Sequence, residues 1–174
     1  MVWIWRTLGA LGGLIVMLIA AGAALPKAHV VARSAVIPSP PEEIWKALVE
    51  VEASPSWRPD VIRVERLEDR YGNLTWRETG RSGRGVTYEA TESIAPTRLV
   101  RTIIERNLPY GGNWVIEIAE APGGSTVKIT ENGEIYNPVF RLLARAVFGY
   151  TRTIDDFLRY LGLKFGAQVT PAAA

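Results

Sequence analysis

The sequence predicts an α+β domain: a curved antiparallel sheet of about seven strands wrapped around a long C-terminal helix, with an apolar helix of membrane-spanning length in front. Three observations predict it. Residues 7–25, TLGALGGLIVMLIAAGAAL, carry no charge. From His29 to Tyr136 apolar residues come in period two or short runs between turns rich in glycine and proline. Over residues 138–164 they recur instead at alternating spacings of three and four.

The uncharged segment, as a helix, is about 28 Å long, close to the ~30 Å hydrocarbon core of a bilayer. Trp3, Trp5 and Arg6 mark one interface and Lys27 the other. Residues 1–26 therefore read as a retained single-pass membrane anchor. A cleaved signal peptide is the competing reading, since Ala21-Gly22-Ala23 offers a small-x-small site, but signal cores are usually shorter. Arg6 and the amino terminus balance Lys27 and Arg33, so the side of the membrane stays undetermined. Gly9 and Gly13 form a G-x-x-x-G pair. Glycine is common in membrane helices, so the pair sets no oligomeric state.

Strands are expected near residues 29–37, 61–69, 73–79, 85–95, 98–106, 113–121 and 125–136. Tyr71-Gly72-Asn73, Gly80-Arg81-Ser82-Gly83, Ala95-Pro96-Thr97, Pro109-Tyr110-Gly111-Gly112 and Pro122-Gly123-Gly124 supply turns. The last six strands follow one another as hairpins. After the first strand, Ser39 is placed to cap a short helix that Pro40 and Pro41 start. Glu42 and Glu43 suit its N-terminal end, and Ile44, Trp45, Leu48 and Val49 give it an apolar face. The closing helix carries Phe140, Leu143, Val147, Tyr150, Ile154, Phe157 and Leu161 on one stripe, with Arg141, Arg145, Arg152 and Arg159 on other faces. Residues 27–166 make one domain, and residues 167–174 are expected to form a disordered tail.

Composition excludes several function classes. There is no cysteine, hence no disulfide, thiolate nucleophile or Cys-ligated zinc, and His29 is the one histidine. Lys and Arg number 20 against 18 Asp and Glu, dispersed rather than blocked, so nucleic acid is not an expected partner. Gly80-Arg81-Ser82-Gly83-Arg84-Gly85 lacks the G-K-[ST] ending of a phosphate loop and joins two strands. No metal or cofactor is implied.

Four patterns in order, IPSPPEEIWKAL, WRPDVIRVERLE, PYGGNWVIEI and GSTVKITENGEIYNPVFRLLAR, make residues 29–164 resemble the SRPBCC superfamily of START, birch-pollen-allergen-like and polyketide-cyclase-like domains. The resemblance implies the helix-grip fold and a hydrophobic cavity between sheet and C-terminal helix. It implies a lipid, sterol, polyketide or other apolar ligand, but no particular reaction.

Strand alternation selects the inward residues: Leu74, Trp76 and Glu78; Val86, Tyr88, Ala90, Glu92 and Ile94; Trp114, Ile116 and Ile118; Val127, Ile129, Glu131, Gly133 and Ile135. From these and the helix stripe, the expected ligand-binding residues are Trp76, Glu78, Tyr88, Glu92, Trp114, Ile129, Glu131, Phe140 and Leu143. Tyr88 and Tyr136 are possible hydrogen-bond donors. The three inward carboxylates need partners, because an unpaired buried carboxylate is costly. Arg101 is the available cation if strand 98–106 turns Leu99, Arg101, Ile103 and Glu105 inward, and the opposite phase, Val100, Thr102 and Ile104, is at least as apolar. No nucleophile–base–orienter set is visible, so catalytic residues are unknown. The leading expectation is a membrane-tethered binder of a hydrophobic small molecule or lipid. The alternatives are a cyclase or dehydratase using the same cavity, and a protein-interaction module with a vestigial one.

Overall fold

The computed structural model describes residues 2–174, with side chains described except at residues 2, 4, 5, 7–10, 14 and 148. An N-terminal helix, α1 (Val2–Ala24), precedes β1 (Ala28–Ile37), α2 (Pro41–Val49) and a 3₁₀ turn (Val51–Ser56). Six strands follow: β2 (Val61–Arg66), β3 (Thr75–Gly80), β4 (Gly85–Ile94), β5 (Arg98–Ile103), β6 (Tyr110–Ala121) and β7 (Gly124–Ile135). The chain closes with α3 (Pro138–Leu143), a π-helical turn (Ala144–Phe148), α4 (Arg152–Lys164) and the short β8 (Ala172–Ala173).

The sheet is antiparallel in the order β2-β3-β4-β5-β6-β7-β1-β8. The hairpin meander is as the turn residues require, and β1 returns beside β7 in a ten-pair register from Ala28↔Glu134 to Ile37↔Ser125. The concave face packs on α2 and α4. Ile37, Ile44, Ile116, Val127, Ile129, Ile154, Leu158 and Leu161 are essentially inaccessible to solvent. Each contributes on the order of 1.5–3 kcal/mol by burial.

Four expectations are corrected. The closing helix is not continuous, because Gly149 at φ +70° ends the π turn in a backbone conformation that favours glycine. Val147, on the expected stripe, is 65 % exposed as a result. Ser39 does not cap α2; Pro40 occupies the N-cap without a side-chain bond, and the Ser39 carbonyl instead accepts from Ser125 Oγ at 2.7 Å. Residues 167–174 are not a disordered tail. Val169 packs on the core, Ala172 and Ala173 pair with Ser34 and Arg33, and the Pro171 carbonyl accepts from Arg33 Nη2 at 2.7 Å.

The fourth correction is Arg141, expected on a face away from the apolar stripe but 6 % exposed. Its guanidinium donates to the carbonyls of Leu25 at 2.7 Å and Ala23 at 3.4 Å, filling acceptors that the end of α1 leaves open. Beside it, a Cβ on Gly22 would lie 2.0 Å from the Pro138 carbonyl oxygen, so only glycine allows this approach of α1 to α3. Gly22→Val is expected to separate the two helices, seen as faster protease cleavage around residues 23–27; unchanged cleavage would mean the contact holds nothing. Among the described residues no helix is long and apolar enough to cross a membrane. Trp5 and Gly9 lie outside the residues whose side chains are described.

Candidate ligand cavity

A cavity of about 600 Å³ lies between the sheet and the α3–α4 segment. Strands β4, β5 and β6 supply Tyr88, Arg101, Ile103 and Trp114; the closing helices supply Phe140, Leu143 and Phe157. Asn137 starts α3 by accepting from the N–H groups of Val139 and Phe140 at 2.9 and 3.2 Å, which aims this segment across the sheet.

The polar side chains form two poles. Arg101 on β5 stands opposite Trp114 on β6, and Trp114 opposite Glu131 on β7. Two strand spacings separate the outer members, about 10 Å. At the first pole, Arg101 Nη2 donates to Glu78 Oε1 at 3.2 Å. Arg58 donates from Nη1 to both Glu78 oxygens at 3.0 Å and from Nη2 to Asp60 at 2.8 Å. Trp76 Nε1 donates to the same Glu78 oxygen at 3.0 Å. Burial pushes the Glu78 carboxyl upward, but Arg101, Arg58 and the Trp76 and Arg58 hydrogen bonds together hold it below its usual value. Burial likewise opposes the Arg58 charge, and Glu78 and Asp60 outweigh it. Glu78 and Arg58 therefore both keep their charges. The Arg101 guanidinium also lies 4.2 Å from the Tyr88 ring centroid and 5.4 Å from that of Trp114. Burial raises the Tyr88 hydroxyl above its usual value, with Arg101 opposing, so it is a neutral donor.

At the second pole Glu131 Oε2 accepts from Trp114 Nε1 at 2.7 Å, and its Oε1 is 3.0 Å from His29 Nε2. The His29 ring stacks on Tyr150 at 4.2 Å, just beyond the π turn. Both His29 and Tyr150 line the cavity.

Of the expected ligand-binding residues, Tyr88, Trp114, Glu131, Phe140 and Leu143 line this cavity together. Trp76 and Glu78 lie behind it, on a small void under α2 that Arg58 and Arg101 also touch. Ile129 is in the core with no exposure and lines neither space. Glu92 is at the surface on Arg98, at 3.0 Å, because a bulge between Ala90 and Glu92 breaks the alternation that would have turned it inward. Tyr136 is also outside, donating to Glu134 at 2.8 Å. Sequence reasoning missed Arg58 and His29. Arg58 sits in a Pro-flanked loop with no periodicity, and His29 opens a strand whose partner's face had already been assigned. Among the described residues no three His, Asp or Glu side chains are grouped to hold a metal ion.

An eight-stranded antiparallel sheet closed by a C-terminal helical segment over an internal cavity is the arrangement of a helix-grip domain. The model of the polyketide cyclase/dehydrase and lipid transport family matches residues 28–162, and the chain belongs to that family. No curated protein matches by sequence. Among solved structures, the fold is similar to a START superfamily protein from Mycobacterium smegmatis, with TM-score 0.64 and 14 % identity over 79 % of this chain and 97 % of that one. It is similar to the Zhui aromatase/cyclase from Streptomyces sp. R1128, with TM-score 0.64 and 14 % identity over 80 % and 94 % of the two chains. It is also similar to the di-domain ARO/CYC StfQ of the steffimycin biosynthetic pathway, with TM-score 0.62 and 13 % identity over 79 % of this chain. The chain spans 51 % of StfQ, about half its length.

Proposed function

We propose that the protein binds a small, largely apolar molecule in this cavity while tethered to a membrane by its N-terminal helix. The observation that carries the binding reading is the cavity of about 600 Å³, walled by Trp114, Phe140, Leu143 and Phe157 with a few convergent polar groups. Volume and lining both suit a small-molecule site. The tether is supported by Leu11, Ile15, Val16, Met17, Leu18 and Ile19, all exposed along α1 as an apolar surface that a lipid phase would cover.

Native mass spectrometry of the full chain released from detergent is expected to show a retained small molecule. The neutral dye N-phenyl-1-naphthylamine is expected to bind one site per chain. The absence of both a retained molecule and dye binding would overturn the cavity reading. The full chain is expected to float with phospholipid vesicles after a carbonate wash, and a mature N-terminus at Ala24 or later would overturn the tether.

A second reading, a cyclase or dehydratase, has one observation in its favour. His29 and Glu131 form a hydrogen-bonded pair that faces the same space as the Arg101 guanidinium, which is suited to hold an enolate oxygen. In that case Glu131→Gln keeps the extracted molecule bound while its conversion falls by about 10²-fold or more. Chromatography after incubation with wild type and variant distinguishes the two readings.

A further inference from the structure

Arg101 is 8 % exposed, lines the cavity, and among the described residues has a single hydrogen bond, from Nη2 to Glu78 at 3.2 Å. A guanidinium carries five N–H donors, so four have no protein acceptor. Glu78 already takes four hydrogen bonds. Its Oε1 already accepts from Arg58, Trp76 and Arg101, and its Oε2 from Arg58. Arg58 has a carboxylate of its own in Asp60, 2.8 Å away. One negative charge is therefore shared between two buried cations, and Arg101 is the less neutralised of them. The rings of Tyr88, Trp114 and Trp76 lie 4.2, 5.4 and 5.6 Å from its guanidinium carbon. Ring faces attract a cation but offer no lone pairs to its N–H donors. Acceptors for the open donors come from the cavity side, as water or as a ligand, and an anionic ligand would also balance the charge that one carboxylate shares between two arginines.

We infer that the cavity's ligand is an amphiphilic acid. Its oxyanion docks on the open donors of Arg101 with the Tyr88 hydroxyl alongside, and its apolar body runs beside Trp114 and Phe157 toward Phe140 and Leu143. The inference rests on the cavity reading and adds the chemical class of the molecule to it. Both N–H···O bonds to such a group are charge-assisted, and the planar fork suits a carboxylate.

The test uses two dyes of one skeleton, 8-anilinonaphthalene-1-sulfonate and the neutral N-phenyl-1-naphthylamine. They are titrated against the full chain in nonionic detergent, with protein-free micelles subtracted. The wild type is expected to bind the sulfonate at least tenfold tighter than the neutral dye. Decanoate is expected to displace the sulfonate at concentrations at least tenfold below those needed with decanol. In Arg101→Gln the preference for the acid is expected to disappear while the neutral dye still binds. Arg101→Lys, which keeps the charge without the fork, is expected to retain part of it. If the wild type binds the neutral dye as tightly as the sulfonate, water alone satisfies Arg101. The inference then fails with the cavity reading intact, a result that needs no variant to fold. If neither dye binds, both readings fail.

Discussion

Glu78→Gln is expected to destabilise the protein by about 3–5 kcal/mol, the cost of removing one partner from a buried ionic group. The amide keeps the shape and an acceptor but removes the negative charge that Arg58 and Arg101 share, both of them buried, with exposures of 7 % and 8 %. The pH dependence has a definite sign. The Glu78 carboxyl is held below its usual value in the folded state. Its contribution is therefore fully present above the unfolded value of roughly 4.3 and is lost as pH falls through the folded value. The melting-temperature gap between wild type and Glu78→Gln is expected to be wide at pH 7 and to narrow steadily below about pH 4.5. A gap that stays constant down to pH 3 would show that the charge does not stabilise this end of the sheet. Because Glu78 lies behind the cavity rather than in its lining, the affinity of the remaining folded protein for a neutral dye is expected to survive.

Phe157→Ala is expected to cost about 3–5 kcal/mol as well, by a different route. Phe157 is 4 % exposed and meets Trp57 edge-on at 5.6 Å and Trp114 at 5.5 Å, with the Arg58 guanidinium 5.3 Å from its ring. Truncation removes two aromatic contacts, worth about 0.5–1.5 kcal/mol each beyond burial, and merges the vacated space with the cavity. Urea denaturation should report it as a lower midpoint at unchanged slope, with Phe157→Leu recovering most of the loss. A loss below about 1 kcal/mol for the alanine would mean that α4 collapses onto the sheet to fill the gap.

The strands were legible because each half-buried strand repeats every two residues and its turns carry Gly or Pro. Tyr88, Trp114 and Glu131 were placed on the inner face by that alternation alone, and all three line the cavity. The same rule failed at Glu92, where one extra residue in the ladder shifts every later side chain on the strand. It also failed to separate Ile129 from the cavity, because alternation gives the face of a residue but not its depth along the sheet. On the helix, spacings of three and four ran unbroken through Gly149, so the π turn left no trace in the apolar pattern. Arg101 was one of two equally apolar phases; its inward turn is explained by Glu78 and three aromatic rings from neighbouring strands, which one strand's pattern does not contain. The tail escaped because its anchors are backbone pairings and Arg33, not a run of apolar residues.

The clasp between Arg141 and the end of α1 decides where a mechanical load enters the domain. Tension on the N-terminal helix divides at Leu25. One path runs along the chain into β1, which ten paired residues hold against β7 in shear, a stiff route. The other passes through the Arg141 guanidinium and the Gly22–Pro138 contact into Pro138–Leu143, which continues as a π-helical turn and then a left-handed glycine. That second route is compliant, because few backbone bonds there would need to stretch or break. Displacement of the end of the N-terminal helix therefore reaches Phe140 and Leu143 directly through α3, without passing through the sheet ladder.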